Sequence, residues 1–282
     1  MITIKFPAEI KLIKEGGKRL SRILRQVVKF CRAGVTTEEI DRLAESLILK
    51  AGAEPAFRGY KVPGSPPFPS VICISINNEV VHAPATPGRI LKNGDVVGLD
   101  IGMRWPERIL NSEFRIQNSK QIINPKSETL NHGYYTDMAV TVGIGKISRE
   151  ARELMKVTRS ALERGLRVVR PGNLISDIGR QIEEYVKKFG FGIVRDLVGH
   201  GVGYKLHEEP AIPNYFDSRL PQVKLKQGMV LAIEPMITLG SGEVRTLADK
   251  WTVVSREGGL AAHFEVTIVV TKRGHKIVTP LP

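Results

Sequence analysis

Four apolar runs of this chain each enclose a single acid: Asp100 in residues 96–101, Asp137 in 134–140, Glu234 in 229–236 and Glu265 in 264–270. An ionised carboxylate in such surroundings costs several kcal/mol unless a cation compensates it. One acid of this kind is ordinarily a paired core residue. Four, with few Lys or Arg in the same runs, are better satisfied by a shared metal cluster. Carboxylate oxygens suit divalent ions, and one imidazole shifts the preference from Mg or Ca toward Mn, Fe(II) or Co. His200 is the candidate imidazole, because the glycines of GHGVG (199–203) let the backbone approach a metal or substrate closely. The string is not GxGxxG and no helix signal follows it, so a phosphate cradle is disfavoured. His207 (in HEEP) and His82 (in VVHAP) are weaker candidates, each more often a surface or core histidine when taken alone. His132, in a polar stretch, and His275, in a terminal turn, receive no role.

The acids need strands to align them. Strand-like runs cover residues 70–77, 95–103, 134–142, 228–238, 251–255 and 264–271, separated in several places by turn chemistry such as Asn93-Gly94 and Arg273-Gly274. Helices precede them. Residues 7–33 place Ile13, Leu20, Leu24, Val27 and Cys31 at helical spacing, with Pro7 at the start and Gly34 at the stop. Thr36-Thr37-Glu38-Glu39 has the form of a capping box for a second helix that Gly52 closes. Residues 148–170 and 174–189 repeat this plan. At an offset of 138, residues 32–52 and 170–190 share Arg, Gly, Ile, Arg, Glu, Lys and Gly at matched positions, where chance gives about one identity. The expected architecture is therefore α+β, a single domain over 1–282 made of two duplicated halves, 1–145 and 146–282, packed about a pseudo-two-fold axis with a site between them. Residues 104–132 are Asn/Ser/Lys-rich and too polar to supply core, and read as a loop or disordered segment.

The chain has 282 residues, 42% hydrophobic and 25% charged, as in an ordinary soluble protein. No apolar stretch is long enough for a membrane span, the N-terminus lacks a signal-peptide h-region, and two distant cysteines argue against a disulfide framework, so a cytoplasmic, monomeric protein is expected. The net charge is +13, and the first 29 residues hold eight Lys/Arg against two Glu. The bland reading is a solvated helix face. The alternative is attraction to a polyanion such as the ribosome surface.

Taken in order, SVICISINNEVVHAP, NGDVVGLDIGM, GYYTDMAVTVGIG, GHGVGYKLHEEPAIPNY, GMVLAIEPM and FEVTIVVT resemble the successive motifs of type I methionine aminopeptidases and cover most of the chain outside 104–132. The resemblance implies the pita-bread fold, with a central antiparallel sheet backed by helices. It implies two divalent metal ions per chain (Co, Mn, Fe(II) or Zn) held by Asp100, Asp137, His200, Glu234 and Glu265, with Asp137 and Glu265 bridging. It implies catalytic and substrate-binding roles for His82 and His207, with Glu234 as the proton shuttle. Tyr60, Phe68, Cys73, Leu206 and Trp251 match the pocket for a methionine side chain, Leu206 standing where the family often has an aromatic. The implied activity is removal of the initiator methionine from nascent polypeptides with small second residues. In that family the two aspartates flank a short hairpin, so residues 104–132 read as an insertion at its tip. The runner-up readings are an X-Pro aminopeptidase or prolidase, which usually carries an extra N-terminal domain, and a non-catalytic peptide- or RNA-binding protein of the same fold, which typically loses metal ligands.

Overall fold

The computed structural model describes residues 1–107 and 132–282. Most of the 104–132 segment, and with it the expectation of a loop or disorder there, lies outside the described residues.

Helix α1 (Pro7–Phe30) starts with proline in its first turn, where a missing amide donor costs nothing, and the Phe6 amide donates to Glu9 Oε2 at 2.7 Å. Its apolar stripe of Ile13, Leu20, Leu24 and Val27 is fully buried against strands. Helix α2 (Thr37–Lys50) has the expected capping box: the Thr36 amide donates to Glu39 Oε2 at 2.8 Å, and the Glu39 amide donates to Thr36 Oγ1 at 3.2 Å. Helices α3 (Arg149–Arg167) and α4 (Ile175–Val186) occupy the second pair of helical stretches.

The described strands are β1 (Glu54–Pro55), β2 (Ile72–Ile76), β3 (Glu79–Val81), β4 (Val96–Trp105), β5 (Tyr134–Gly143), β6 (Gly192–Ile193), β7 (Gly199–Gly201), β8 (Glu208–Ile212), β9 (Val230–Ile233), β10 (Met236–Thr238), β11 (Val244–Thr246), β12 (Val253–Ser255), β13 (Ala261–His263), β14 (Glu265–Val270) and β15 (His275–Ile277). The main antiparallel sheet runs β1-β4-β5-β14-β9-β7-β8, with β2 added beside β4 and β15 beside β14. Two small three-stranded sheets, β13-β10-β6 and β11-β12-β3, complete the α+β layout.

Two boundaries differ from expectation. The run at 228–238 is broken at Glu234-Pro235 into β9 and β10, which belong to different sheets. Proline has no amide to donate to a ladder, so the chain changes sheet there and leaves Glu234 at the junction. The β4–β5 ladder also continues through Arg104 opposite Tyr135 and Trp105 opposite Tyr134, two residues into the stretch read as insertion. Both side chains have partners that favour the strand: Arg104 pairs with Glu54, and Trp105 donates its indole N–H to the Ala51 carbonyl and lies under the Arg19 guanidinium.

Candidate metal centre

Strand register alone brings the acids to one face. Asp100 on β4 is directly opposite Ala139 on β5, and Ala139 is directly opposite Glu265 on β14. Directly opposed residues point to the same side of a sheet, so two carboxylates flank one methyl group. Asp137, two residues from Ala139, shares that side. On the far flank of β14, Val266 pairs with Ile233, which sets Glu265 beside Glu234. His200 on β7 pairs with Ala232, two residues from Glu234. The ligand atoms converge accordingly. Those of Asp100, Asp137 and Glu265 lie within 4.8 Å of one another, as do those of His200, Glu234 and Glu265, and those of Asp137, His200 and His207. Glu265 is common to the first two groups and Asp137 to the first and third. Gly102, opposite Asp137, keeps the floor open: a Cβ there would lie 2.7 Å from the Phe57 ring and 3.3 Å from Asp137 Oδ1.

The carboxylates are crowded together and short of hydrogen-bond partners. Burial, reinforced by neighbouring carboxylates, raises Asp100, Glu234 and Glu265 well above the usual carboxylate range, and burial pushes Asp137 up to about 7. Asp100 Oδ1 and Glu265 Oε1 are buried without any hydrogen-bond donor. Buried carboxylate oxygens left without donors in a cluster of four acids are what a divalent cation satisfies, so the residues present fit a metal. His200 is suited to join them. Burial lowers it to about 4, so it is neutral at pH 7. Its Nδ1–H donates to the Gly201 carbonyl at 2.9 Å, leaving the Nε2 lone pair facing Glu234 Oε1 at 3.4 Å.

A cleft of about 370 Å³ opens beside these groups, and all twelve site residues expected from the sequence line it. Phe68, Cys73, Leu206 and Trp251 form a buried apolar cluster against which Tyr60 packs. Phe68 and Trp251 meet edge to face at 5.2 Å, and the Trp251 indole N–H donates to the Pro66 carbonyl at 2.9 Å, which fixes that wall. Cys73 on β2 is opposite Asp100, which joins the apolar wall to the acids. The Tyr60 hydroxyl contacts His207 Nδ1 at 2.7 Å. His82 follows β3 with φ 59°, a left-handed conformation costly for a side chain of its size and one that turns it into the cleft. Burial depresses His82 to about 4, and desolvation with the neighbouring His200 also lowers His207, although its ring is solvent-exposed.

Two residues of the site escaped the sequence reading. His263 is buried, its Nε2 3.6 Å from Glu234 Oε2 and without a hydrogen-bond partner. Its only signal was its place two residues before Glu265. Phe57 packs edge to face on Phe68 at 6.4 Å and belongs to the same apolar cluster. The signal for it was an aromatic between Pro55 and Gly59, just ahead of Tyr60.

The chain matches metallopeptidase family M24 over residues 11–112 and 118–272. It is 42% identical over 280 residues to a methionine aminopeptidase of Clostridium acetobutylicum, with 99% of each chain covered. Among solved structures it superposes on the methionine aminopeptidase of Thermotoga maritima with a TM-score of 0.84 at 36% identity, covering 99% of both chains. The prolidase of Pyrococcus horikoshii shares the fold alone, with a TM-score of 0.70 at 19% identity over 64% of that chain.

Proposed function

The chain belongs to metallopeptidase family M24, and from that premise we propose that it removes the N-terminal methionine of peptides and nascent proteins by hydrolysis at a centre of two divalent ions. The observation that carries this reading is the contact between two environments. Buried carboxylates lacking donors, with a neutral imidazole, stand against an apolar cleft wall lined by sulfur and aromatic rings. Such a pocket suits an unbranched thioether side chain. High identity over nearly the full length to proteins named methionine aminopeptidase supports the same substrate, whereas the prolidase likeness extends to the fold only.

In this reading Asp100, Asp137, His200, Glu234 and Glu265 would hold the ions. Bound there, two divalent ions supply Lewis acidity and a nucleophilic water at neutral pH. The chain's own groups do the rest. Glu234 accepts the proton of the attacking water. In this reading the His207 tautomer is the one in which the Tyr60 hydroxyl, 2.7 Å away, donates to Nδ1. That leaves the proton of the neutral ring on Nε2, where His207 donates it to the developing oxyanion. His82, held in the cleft by its backbone, hydrogen-bonds the scissile amide. Tyr60, Phe68, Cys73, Leu206 and Trp251 seat the methionine side chain, and small second residues are preferred. We also read the basic face of α1 as a means of concentrating the enzyme at ribosomes, where its substrates emerge.

The test is a peptide comparison with the metal-supplemented enzyme. Methionine is expected to be released from Met-Ala-Ser faster than from Met-Leu-Ser, and faster than any residue from Ala-Pro or Lys-Pro. Preferential cleavage of the proline peptides overturns the assignment.

A further inference from the structure

The turn joining β7 to β8 carries two cleft residues, Leu206 and His207, and one carboxylate closes it. Glu208 Oε1 accepts hydrogen bonds from the Tyr204 amide at 2.5 Å and the Lys205 amide at 2.9 Å. Glu208 Oε2 accepts from the Thr3 hydroxyl at 2.5 Å and the Lys5 ammonium at 2.6 Å. Thr3 and Lys5 lie at the other end of the chain, in the segment before α1, which is tied to the sheet by the Lys5 amide donating to the Gly228 carbonyl at 2.9 Å.

The Lys5 and Glu208 side chains are 1% and 5% exposed. A pair so buried is costly to desolvate and becomes a liability if either partner is lost. The surrounding chain is shaped around it. The ammonium also lies 4.9 Å from the centre of the Tyr204 ring. Gly203 sits at φ +139°, and a Cβ there would lie 2.6 Å from Lys5 Cε, so the lysine stem fills space that glycine leaves under the turn. None of the chemistry assigned to the cleft uses this cation. What it does hold is the carboxylate that ties down the amides two and three residues before His207.

We propose that Lys5 is a positioning residue: through Glu208, the N-terminal segment clamps the 203–207 turn and so sets where Leu206 walls the cleft and where His207 aims its donor. The kinetic arm rests on the methionine aminopeptidase reading above, but the clamp itself does not.

The experiment combines Lys5→Met with His207→Ala. Misplacing a catalytic group by about 1 Å costs on the order of 10²-fold, so Lys5→Met alone is expected to lower kcat about 10- to 100-fold and to raise KM for Met-Ala-Ser, with bound metal unchanged. In the His207→Ala background the same change should move kcat by less than about twofold, since the displaced donor is already gone, while KM still rises through Leu206. A general loss of folded enzyme would cut kcat by the same factor in both backgrounds, and that result overturns the proposal. Amide hydrogen exchange on the metal-free protein supplies the second readout. Tyr204 and Lys205 should exchange about tenfold faster or more in Lys5→Met, with β4 and β5 amides unchanged. Unaltered exchange at both positions also overturns it. Should Lys5→Met fail to fold, Thr3→Val removes one donor to Glu208 and keeps the charge pair. It should show the same exchange pattern at severalfold amplitude, and parent-like exchange there overturns the clamp. If the parent releases no methionine, the functional reading falls, and exchange at Tyr204 and Lys205 alone decides the clamp.

Discussion

Metal-free enzyme should lose stability as pH rises above 6.5, and metal-loaded enzyme should not. The sign follows from which state binds more protons. Asp100, Asp137, Glu234 and Glu265 have folded-state values raised above those of the unfolded chain. The folded protein therefore holds protons that the unfolded chain has released, and raising the pH favours unfolding until each group ionises in the fold. The buried histidines act in the opposite sense. His82, His200 and His263 are depressed to between about 3 and 4, so the stability from keeping them neutral grows with pH, but only up to their unfolded value near 6.5. Above 6.5 they fall silent and the carboxyls act alone. Each carboxyl still protonated in the fold then removes about 1.4 kcal/mol per pH unit, or roughly 3 °C in Tm for a chain of this size. Asp137 stops contributing above about 7, while Asp100, Glu234 and Glu265, raised well above the usual carboxylate range by burial and by one another, act in the same direction. Bound cations hold all four as carboxylates, which abolishes the term. The assay is urea or thermal unfolding at pH 6.5, 7.5 and 8.5, with and without metal. A metal-free protein whose stability is flat or rises over that range would refute the argument that these acids are uncompensated without cations.

Other expectations follow from particular contacts. His207→Ala should lower kcat by about 10²–10³ without loss of metal, since it removes an oxyanion donor. Glu265→Ala should abolish both metal binding and turnover, because its oxygens are common to two of the ligand groups. Metal analysis beside steady-state kinetics separates the two, and the reverse pattern would invert the assignments. Excising residues 108–131 and closing the gap with a short Asn-Gly turn should leave metal content and most activity intact, because Trp105 and Tyr134 are already paired at the end of the ladder. Loss of metal in that variant would mean the segment holds Asp100 and Asp137 in register. Co-sedimentation with ribosomes should fall steeply with salt and on neutralising Lys11, Lys14, Lys18 and Arg22, and indifference to both would remove the role given to α1.

The acids were legible because the code for them is local. A lone carboxylate among Val, Leu and Ile announces a buried strand and an unmet charge at once, and the capping box at Thr36 is likewise written in four residues. Strand register is not local. That Ala139 separates Asp100 from Glu265 follows from β4, β5 and β14 lying side by side, which no single window reveals. The break at Glu234-Pro235 was hidden in an unbroken apolar run, although the proline marks it. His263 went unseen for a similar reason. It ends the short strand β13 opposite Met236 on β10, and reaches Glu234, two residues away, through that strand pairing, which no single window reveals. Phe57 and the Lys5–Glu208 pair depend on contacts across 11 or more residues for the first and 203 for the second, which hydrophobic periodicity does not encode.

The central claim, a methionine-releasing centre that needs two cations, is tested most directly by titrating metal-stripped enzyme with Mn, Co, Fe(II) or Zn while following methionine release from Met-Ala-Ser and metal bound per chain. The account predicts no turnover in the stripped enzyme, recovery with added ion, and saturation of binding at two ions per chain. Undiminished methionine release from protein shown by metal analysis to be empty would contradict it.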